Sequence, residues 1–262
     1  MHSLVRRGIA RSLLRSSAPL SQRRALSEAA TALDPSLVKF LQVVPPLAFQ
    51  VVILSPLQAI RKFREEGTTR DVSPVPYAAM CSNGAIWMSY GAMVNDPTIY
   101  LPNLPAFIMG GYYAQQFLAH KNPDGPSALP VYAGFGSIAA TCGAIATTMP
   151  PESAAMTIGY IGSGVCVAMF SGPLLAIRTV LHERSARSIP PAFSLASTTN
   201  CALWTAYGYL VINDAFIWVP NAAGFSAGVT QLALYARFGT APPAGEVAGE
   251  AADEATSTKT DS

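Results

Sequence analysis

Eight residues of this chain occur twice, in the same order and at nearly the same spacing. Asn83, Trp87, Tyr90 and Gly91 recur as Asn200, Trp204, Tyr207 and Gly208, each 117 positions later. Asp96, Ile99, Pro102 and Asn103 recur as Asp214, Ile217, Pro220 and Asn221, each 118 positions later. One residue inserted between Gly208 and Asp214 accounts for the change of offset. A match that includes tryptophan and tyrosine is not coincidence. The chain is a duplication, and its fold has to set two similar units side by side. In an apolar chain, such a repeat points to a transporter whose site lies between the units.

The chain is apolar, with 50% hydrophobic and only 12% charged residues. Seven stretches lack Asp, Glu, Lys and Arg altogether: 40–60, 72–95, 97–120, 125–151, 153–177, 188–213 and 215–236. A helix needs about 20 mainly apolar residues to cross a bilayer, and these stretches are 21 to 27 residues long. They predict seven transmembrane helices. A buried all-helical soluble domain would instead carry charge on the outer faces of its helices. The repeats predict three-helix units over 37–121 and 152–238. The helix between them, 125–151, is rich in Gly, Ala and Thr and has no counterpart. Two three-helix units run in the same direction only if an odd element joins them. The predicted fold is therefore an all-α membrane protein with two parallel three-helix repeats joined by an inversion helix, 3+1+3.

The two ends of the chain differ from this body. In residues 1–36, Arg6, Arg7, Arg11, Arg15, Arg23 and Arg24 precede the first acid, Glu28, with Ser and Ala between them. That is the composition of a mitochondrial or plastid transit peptide, with an untargeted basic tail as the other reading. Residues 239–262 are rich in Ala, Gly, Glu and Thr and are predicted to add no folded unit. The loops after helices 1, 3 and 5 and the end of helix 7 carry Arg61, Lys62, Arg64, Arg70, Lys121, Arg178, Arg184, Arg187 and Arg237. The loops after helices 2, 4 and 6 carry only Asp96, Glu152 and Asp214. The positive-inside rule places the basic loops and the C-terminus in the cytosol or its equivalent.

Composition also narrows the chemistry. Cys81, Cys142, Cys166 and Cys201 sit in apolar stretches without a CxxC pair, and His2, His120 and His182 have no ligand-like spacing. No metal, cofactor, catalytic pair or nucleic-acid partner is expected, and an enzyme reading has no support. The stretches also lack the intramembrane ionisable groups that coupled transporters use. That favours facilitated transport down a gradient.

Several motifs flank the repeat: Ser55-Pro56-Leu57 and Pro76 before Trp87 to Asn103, and Gly172-Pro173-Leu174 and Pro190 before Trp204 to Asn221. The run Gln231-Leu232-Ala233-Leu234-Tyr235 closes the second unit. Over about residues 37–238, the chain resembles the SWEET sugar transporters, the MtN3/saliva family. The resemblance implies a bidirectional uniporter for mono- or disaccharides, often oligomeric and at the plasma membrane. An organellar membrane is the alternative if the N-terminus is a transit peptide. The chain departs from the family at Pro45-Pro46, at Leu104-Pro105 and in its long N-terminal extension.

The resemblance also assigns roles. The family's central sugar site matches Trp87, Asn103, Trp204 and Asn221. An indole offers a platform for an apolar sugar face, and an amide offers donors and acceptors for hydroxyls. The alternatives are helix–helix bonding for the asparagines and packing or an interfacial belt for the tryptophans. Asn83 and Asn200, one turn before the tryptophans, line the pocket or pack. Pro56, Pro76, Pro173 and Pro190 match a proline tetrad that acts as hinges near an inner gate. Helix starts are the other explanation for Pro76 and Pro190. Tyr90, Tyr207 and Asp214 match an outer gate in which Tyr90 bonds Asp214. Asp96 is expected to be an ordinary helix cap, and Asp214 has that alternative too. The position of Trp87 is often small or polar in the family. A tryptophan in both halves predicts a narrower pocket that favours monosaccharides. A PQ-loop or pyruvate-carrier-like protein is the competing carrier, but Leu57 and Leu174 follow Pro56 and Pro173 where such proteins need glutamine. A non-transporting membrane receptor or scaffold is the competitor from another class.

Overall fold

The computed structural model describes residues 33–240 apart from 71 and 170. The expectations for the basic N-terminus and the C-terminal tail therefore fall almost wholly outside the described residues. Those residues form α1 (Pro35–Leu54), α2 (Leu57–Glu66), α3 (Val75–Met93), α4 (Pro97–Ala119), α5 (Leu129–Thr148), α6 (Pro151–Met169), α7 (Ser171–Glu183), α8 (Pro191–Ala206) and α9 (Ala215–Phe238). A π-helical turn, Tyr207–Val211, prolongs α8. They make seven spans, because α1 with α2 and α6 with α7 each form one span. The first is interrupted by a turn at Ser55-Pro56, and Pro173 lies near the start of α7. Proline lacks the N–H that would continue the helix and clashes one turn back.

Length and mean hydropathy alone pick out three stretches as membrane-crossing among the described residues: Pro35–Glu66, Leu129–Thr148 and Pro151–Glu183. The other four spans, α3, α4, α8 and α9, carry the repeated Asn, Tyr and Pro residues. Their polar content lowers the hydropathy, and α8 is also short at 16 residues. The candidate site residues thus lie on the spans that look least like membrane helices.

Prolines occur inside the helices as well. α1 runs unbroken through Pro45-Pro46, α4 contains Pro102 and Pro105, and α9 contains Pro220. Away from water, a carbonyl whose helical partner is missing needs another donor. Pro220 cannot bond the Phe216 carbonyl, which accepts from Ser163 Oγ of α6 at 3.5 Å. Gln50 Nε2 reaches the Pro46 carbonyl at 3.1 Å and the Pro102 carbonyl at 3.4 Å, linking α1 to α4. Tyr113 of α4 donates to the Ile53 carbonyl at 3.0 Å, just before the break in the first span.

In the first unit α4 packs against both α1 and α3, and in the second α9 packs against both α8 and the α6–α7 span. Between units, α3 meets α6 and α1 meets α8, the same pairing seen from each side. The linker helix α5 packs mainly on α3 and also on α6. The acidic end has one core shared by both units, with Leu41, Ile86, Trp87, Tyr90, Ile158, Trp204, Tyr207 and Ile217. At the basic end each unit has its own core. One is built on Ile60, Phe63, Tyr77, Tyr113 and Phe117, and the other on Val180, Ala186 and Ile189. The two units are therefore fused at one end and separate at the other.

Candidate functional site

The fused end is built by two turns. After α3 the chain reverses at Asn95, with φ +55°, and after the π turn it reverses at Asn213, with φ +49°. Asparagine tolerates this left-handed conformation better than most residues. Asp96 N–H then bonds the Gly91 carbonyl at 2.9 Å, and Asp214 N–H the Gly208 carbonyl at 2.8 Å. The second turn has one residue more. The π turn absorbs it through an Ile212 N–H bond to the Tyr207 carbonyl, five residues back, at 3.3 Å. Both aspartates thereby reach the same place, at the N-cap of α4 and of α9.

Each aspartate uses its two oxygens differently. Oδ1 caps the helix, accepting from Thr98 N at 2.9 Å in the first unit and from Phe216 N at 2.9 Å in the second. Oδ2 faces the other unit. Tyr90 OH donates to Asp214 Oδ2 at 2.5 Å, and Tyr207 OH donates to Asp96 Oδ2 at 2.5 Å. The two bonds cross between units, so the fused end is latched twice. Burial pushes both carboxyls up from the usual carboxylate range, against the tyrosine and backbone bonds that pull them down; Asp96 also raises Asp214. Sequence reasoning paired only Tyr90 with Asp214 and left Asp96 as a cap. The repeat itself held the missing signal, since a Tyr90–Asp214 bond implies its symmetry mate Tyr207–Asp96.

Beneath each latch tyrosine lies a tryptophan. The Trp87 and Tyr90 rings meet edge to face at 5.4 Å, and Trp204 and Tyr207 at 5.7 Å. Both indoles are only 7% exposed. Gly162 of α6 makes room for one of them, because a Cβ there would lie 3.1 Å from Trp87 Cζ2. Asn103 and Asn221 sit beside Pro102 and Pro220. Their amide nitrogens donate to the Ile99 and Ile217 carbonyls, each at 2.7 Å. That fixes the amide orientation and leaves each amide oxygen without a partner among the described residues.

The asparagines one turn earlier differ between units. Asn83 Oδ1 accepts from Trp87 Nε1 at 3.1 Å and from Cys166 Sγ at 3.7 Å. Asn200 Oδ1 is buried with no partner among the described residues. Sequence reasoning missed Cys166 as a neighbour of the site, because nothing in its own spacing connects α6 to Asn83.

The four prolines lie toward the basic end. Pro56 lies at the turn that interrupts the first span, Pro173 lies near the start of α7, Pro76 lies in the first turn of α3, and Pro190 is the N-cap of α8. The Pro173 carbonyl accepts from Gln231 Nε2 at 3.4 Å, and Gln231 Oε1 accepts from Ser194 Oγ at 3.4 Å. The closing run of the second unit thus contributes a polar link at Pro173. Among the described residues no three His, Cys, Asp or Glu side chains gather as a metal site, and the four cysteines are free.

Comparison with known proteins agrees with this layout. The chain matches the family described as "Sugar efflux transporter for intercellular exchange" twice, over residues 41–124 and 156–242. It is 28% identical to the bidirectional sugar transporter SWEET17 of Arabidopsis thaliana, across 79% of this chain and 87% of that protein. It is 30% identical to the bidirectional sugar transporter SWEET11 of the same plant, across 77% of this chain and 72% of that protein. Among solved structures, a eukaryotic SWEET transporter superposes with a TM-score of 0.65 at 22% identity, over 77% of this chain and 98% of that one. That last likeness is one of fold.

Proposed function

The chain belongs to the SWEET (MtN3/saliva) family of sugar transporters and is a multi-pass membrane protein, and on that premise we propose that it is a facilitative, bidirectional sugar uniporter working by alternating access. The observation that carries this reading is the matched Trp–Asn pair in each unit, Trp87 with Asn103 and Trp204 with Asn221, set beneath two crossed latches. Each pair supplies an apolar platform and an amide oxygen without a protein donor. A sugar hydroxyl is a suitable donor, and the unpartnered Asn200 Oδ1 is a further acceptor for it. Indoles contributed from both units favour a monosaccharide over a disaccharide.

The difference between the two ends supports alternating access. One end is latched through a shared core, while at the other the units pack separately. Such a carrier is closed at the acidic end and divided at the basic end. Rocking about Pro56 and Pro173 exchanges the two, with Pro76 and Pro190 at the neighbouring helix starts. The distribution of basic loops makes the divided end cytosolic. Among the described residues the buried carboxyls, Asp96 and Asp214, lie at helix caps and are engaged by the latch tyrosines, which supports flux driven by the sugar gradient.

Sugar flux in a transport-deficient host tests the reading, comparing the native chain with Asn103→Ala and Asn221→Ala. Each substitution removes hydrogen bonds made in a desolvated pocket, and a loss of roughly tenfold or more is expected. Unchanged flux in both variants rejects the site. Robust sucrose transport with little glucose transport overturns the monosaccharide preference.

A further inference from the structure

The two units build similar loops at the basic end, and the residue at the first turn differs in kind, although the first loop also turns left-handed at Arg70, φ +48°. In the first unit α2 ends at Glu66, Gly67 turns the chain at φ +71°, and Thr69 N–H bonds the His120 carbonyl at 2.8 Å. In the second, α7 ends at Glu183, Arg184 turns the chain at φ +54°, and Ala186 N–H bonds the Gly239 carbonyl at 2.7 Å. The flanking ion pairs also correspond, Arg70 with Glu66 and Arg187 with Glu183. Glycine adopts the left-handed turn freely, whereas arginine does so at a cost. Strain of this kind persists where something holds it and often marks function.

What Arg184 gains is an aromatic neighbour. Its guanidinium carbon lies 5.6 Å from the ring centroid of Phe238, and that of Arg237 also lies 5.6 Å from the same centroid. The matching positions before His120 are Leu118 and Ala119, so the first unit has no such arrangement. Both arginines are exposed, and neither has a carboxylate partner among the described residues. Next to Arg184, Ser185 Oγ is fully buried and also without a partner among the described residues.

One of the two cations ends an outward-facing apolar stripe, and the other follows an exposed leucine. Leu181 of α7 is 51% exposed, and Arg184 follows it by one turn. On α9, Phe225, Val229 and Ala233 are exposed at four-residue steps, and Arg237 is the next step. Outward apolar stripes of a membrane span face acyl chains, so residues at their ends stand at headgroup depth.

We propose that Arg184, Arg237 and Phe238 form a site for the phosphate of an anionic lipid headgroup. Guanidinium groups pair with phosphate in a bidentate way, and stacking on the ring holds them extended without a competing carboxylate. Inorganic phosphate shares this chemistry but has no acyl chains to lie along the stripe of α9.

Native mass spectrometry of the purified full chain, titrated with short-chain phosphatidic acid, tests the assignment. A basic residue near an anionic headgroup contributes about fivefold in binding, so R184G with R237Q is expected to weaken phosphatidic acid about 30-fold. R61Q with R64Q, which removes exposed cations from the first unit, is expected to change it by less than about twofold. Glycine relaxes the left-handed turn, so R184G is expected to keep or raise the melting temperature, which separates lost binding from unfolding. Phosphatidylcholine is expected to bind equally to all variants. Retained phosphatidic acid binding in R184G/R237Q, or an equal loss in R61Q/R64Q, overturns the site. Inorganic phosphate binding there as tightly as phosphatidic acid overturns the lipid as its occupant.

Discussion

The two repeats make the same helix pair with different tolerances. In the first, α3 and α4 meet backbone to backbone. A Cβ added at Gly84 would lie 2.5 Å from Phe107 N, and one at Gly91 would lie 2.7 Å from Tyr100 N. At Gly110 an added Cβ would run into the backbone of Cys81. In the second, Gly208 keeps the close approach of Gly91, with an added Cβ 2.9 Å from Trp218 N, but Cys201 stands where Gly84 stands in the first, and Gly228 faces the side chain of Thr198. The second unit also carries an extra residue in its π turn. The two copies thus differ at the Gly84 contact and in the length of the turn. Both still deliver Trp, Tyr, Asp and Asn to equivalent places.

The largest expected effect exploits that contrast. Gly84→Ala forces a methyl against a backbone nitrogen that cannot swing away, and overpacking of this kind costs about 3 kcal/mol or more. Cys201→Ala, at the equivalent position, removes one sulfur and is expected to cost about 1 kcal/mol. Melting temperatures of the two variants in the same detergent measure the difference. Equal losses would mean that the units are equally tight and would break the comparison.

The latches test where the units should be alike. Tyr90→Phe and Tyr207→Phe each remove a hydrogen bond to a carboxylate, worth about 1.5–3 kcal/mol. Each should raise the latch-open population by about tenfold or more, and by a similar factor in both units. Spin labels at Ala92→Cys and Leu210→Cys, in a background without the native cysteines, read the separation across that end. A response confined to Tyr90→Phe would reduce the Tyr207–Asp96 bond to decoration.

A smaller effect follows from burial of the two carboxyls. Closing the latch raises both above the usual carboxylate range, mainly by desolvation. Protonation therefore favours the closed form. That stabilisation is full below the ordinary aspartate pKa of about 3.9 and fades as pH rises through the raised values. The same spin-label pair should report more closed latch as pH falls, and Asp96→Asn should remove part of the dependence. A latch that opens on acidification reverses the sign and contradicts the burial argument.

Much of this architecture was legible because a bilayer imposes long uncharged windows, and because a duplicated tryptophan and asparagine cannot hide in an apolar chain. Pro56 similarly announces the broken first span, since a missing N–H has consequences wherever it falls. Other features depend on partners that sequence does not name. Asp96 had a sufficient local explanation as a cap, so its second oxygen went unassigned. Ser163 and Gln50 serve carbonyls on α9 and α4, which only the packing of those helices reveals. The contrast between Asn83 Oδ1, bonded to Trp87, and Asn200 Oδ1, without a partner among the described residues, arises within matching motifs.

The smallest expected effect concerns the insertion itself. Deleting Ile212 restores the 117-residue offset and makes the second turn the length of the first. The first unit caps α4 and reaches the latch without a π turn, so the shorter connection is geometrically sufficient. π turns are nevertheless concentrated at functional sites, and here the turn begins at Tyr207, a latch donor. If the extra residue only drifted in, its deletion should change the melting temperature by the equivalent of about 1 kcal/mol or less and leave flux unaltered. If the π turn sets the reach of Tyr207, flux should fall while stability holds, and the fall should not deepen when Tyr207→Phe is added. That double variant decides whether the second unit's looseness is tolerated or used.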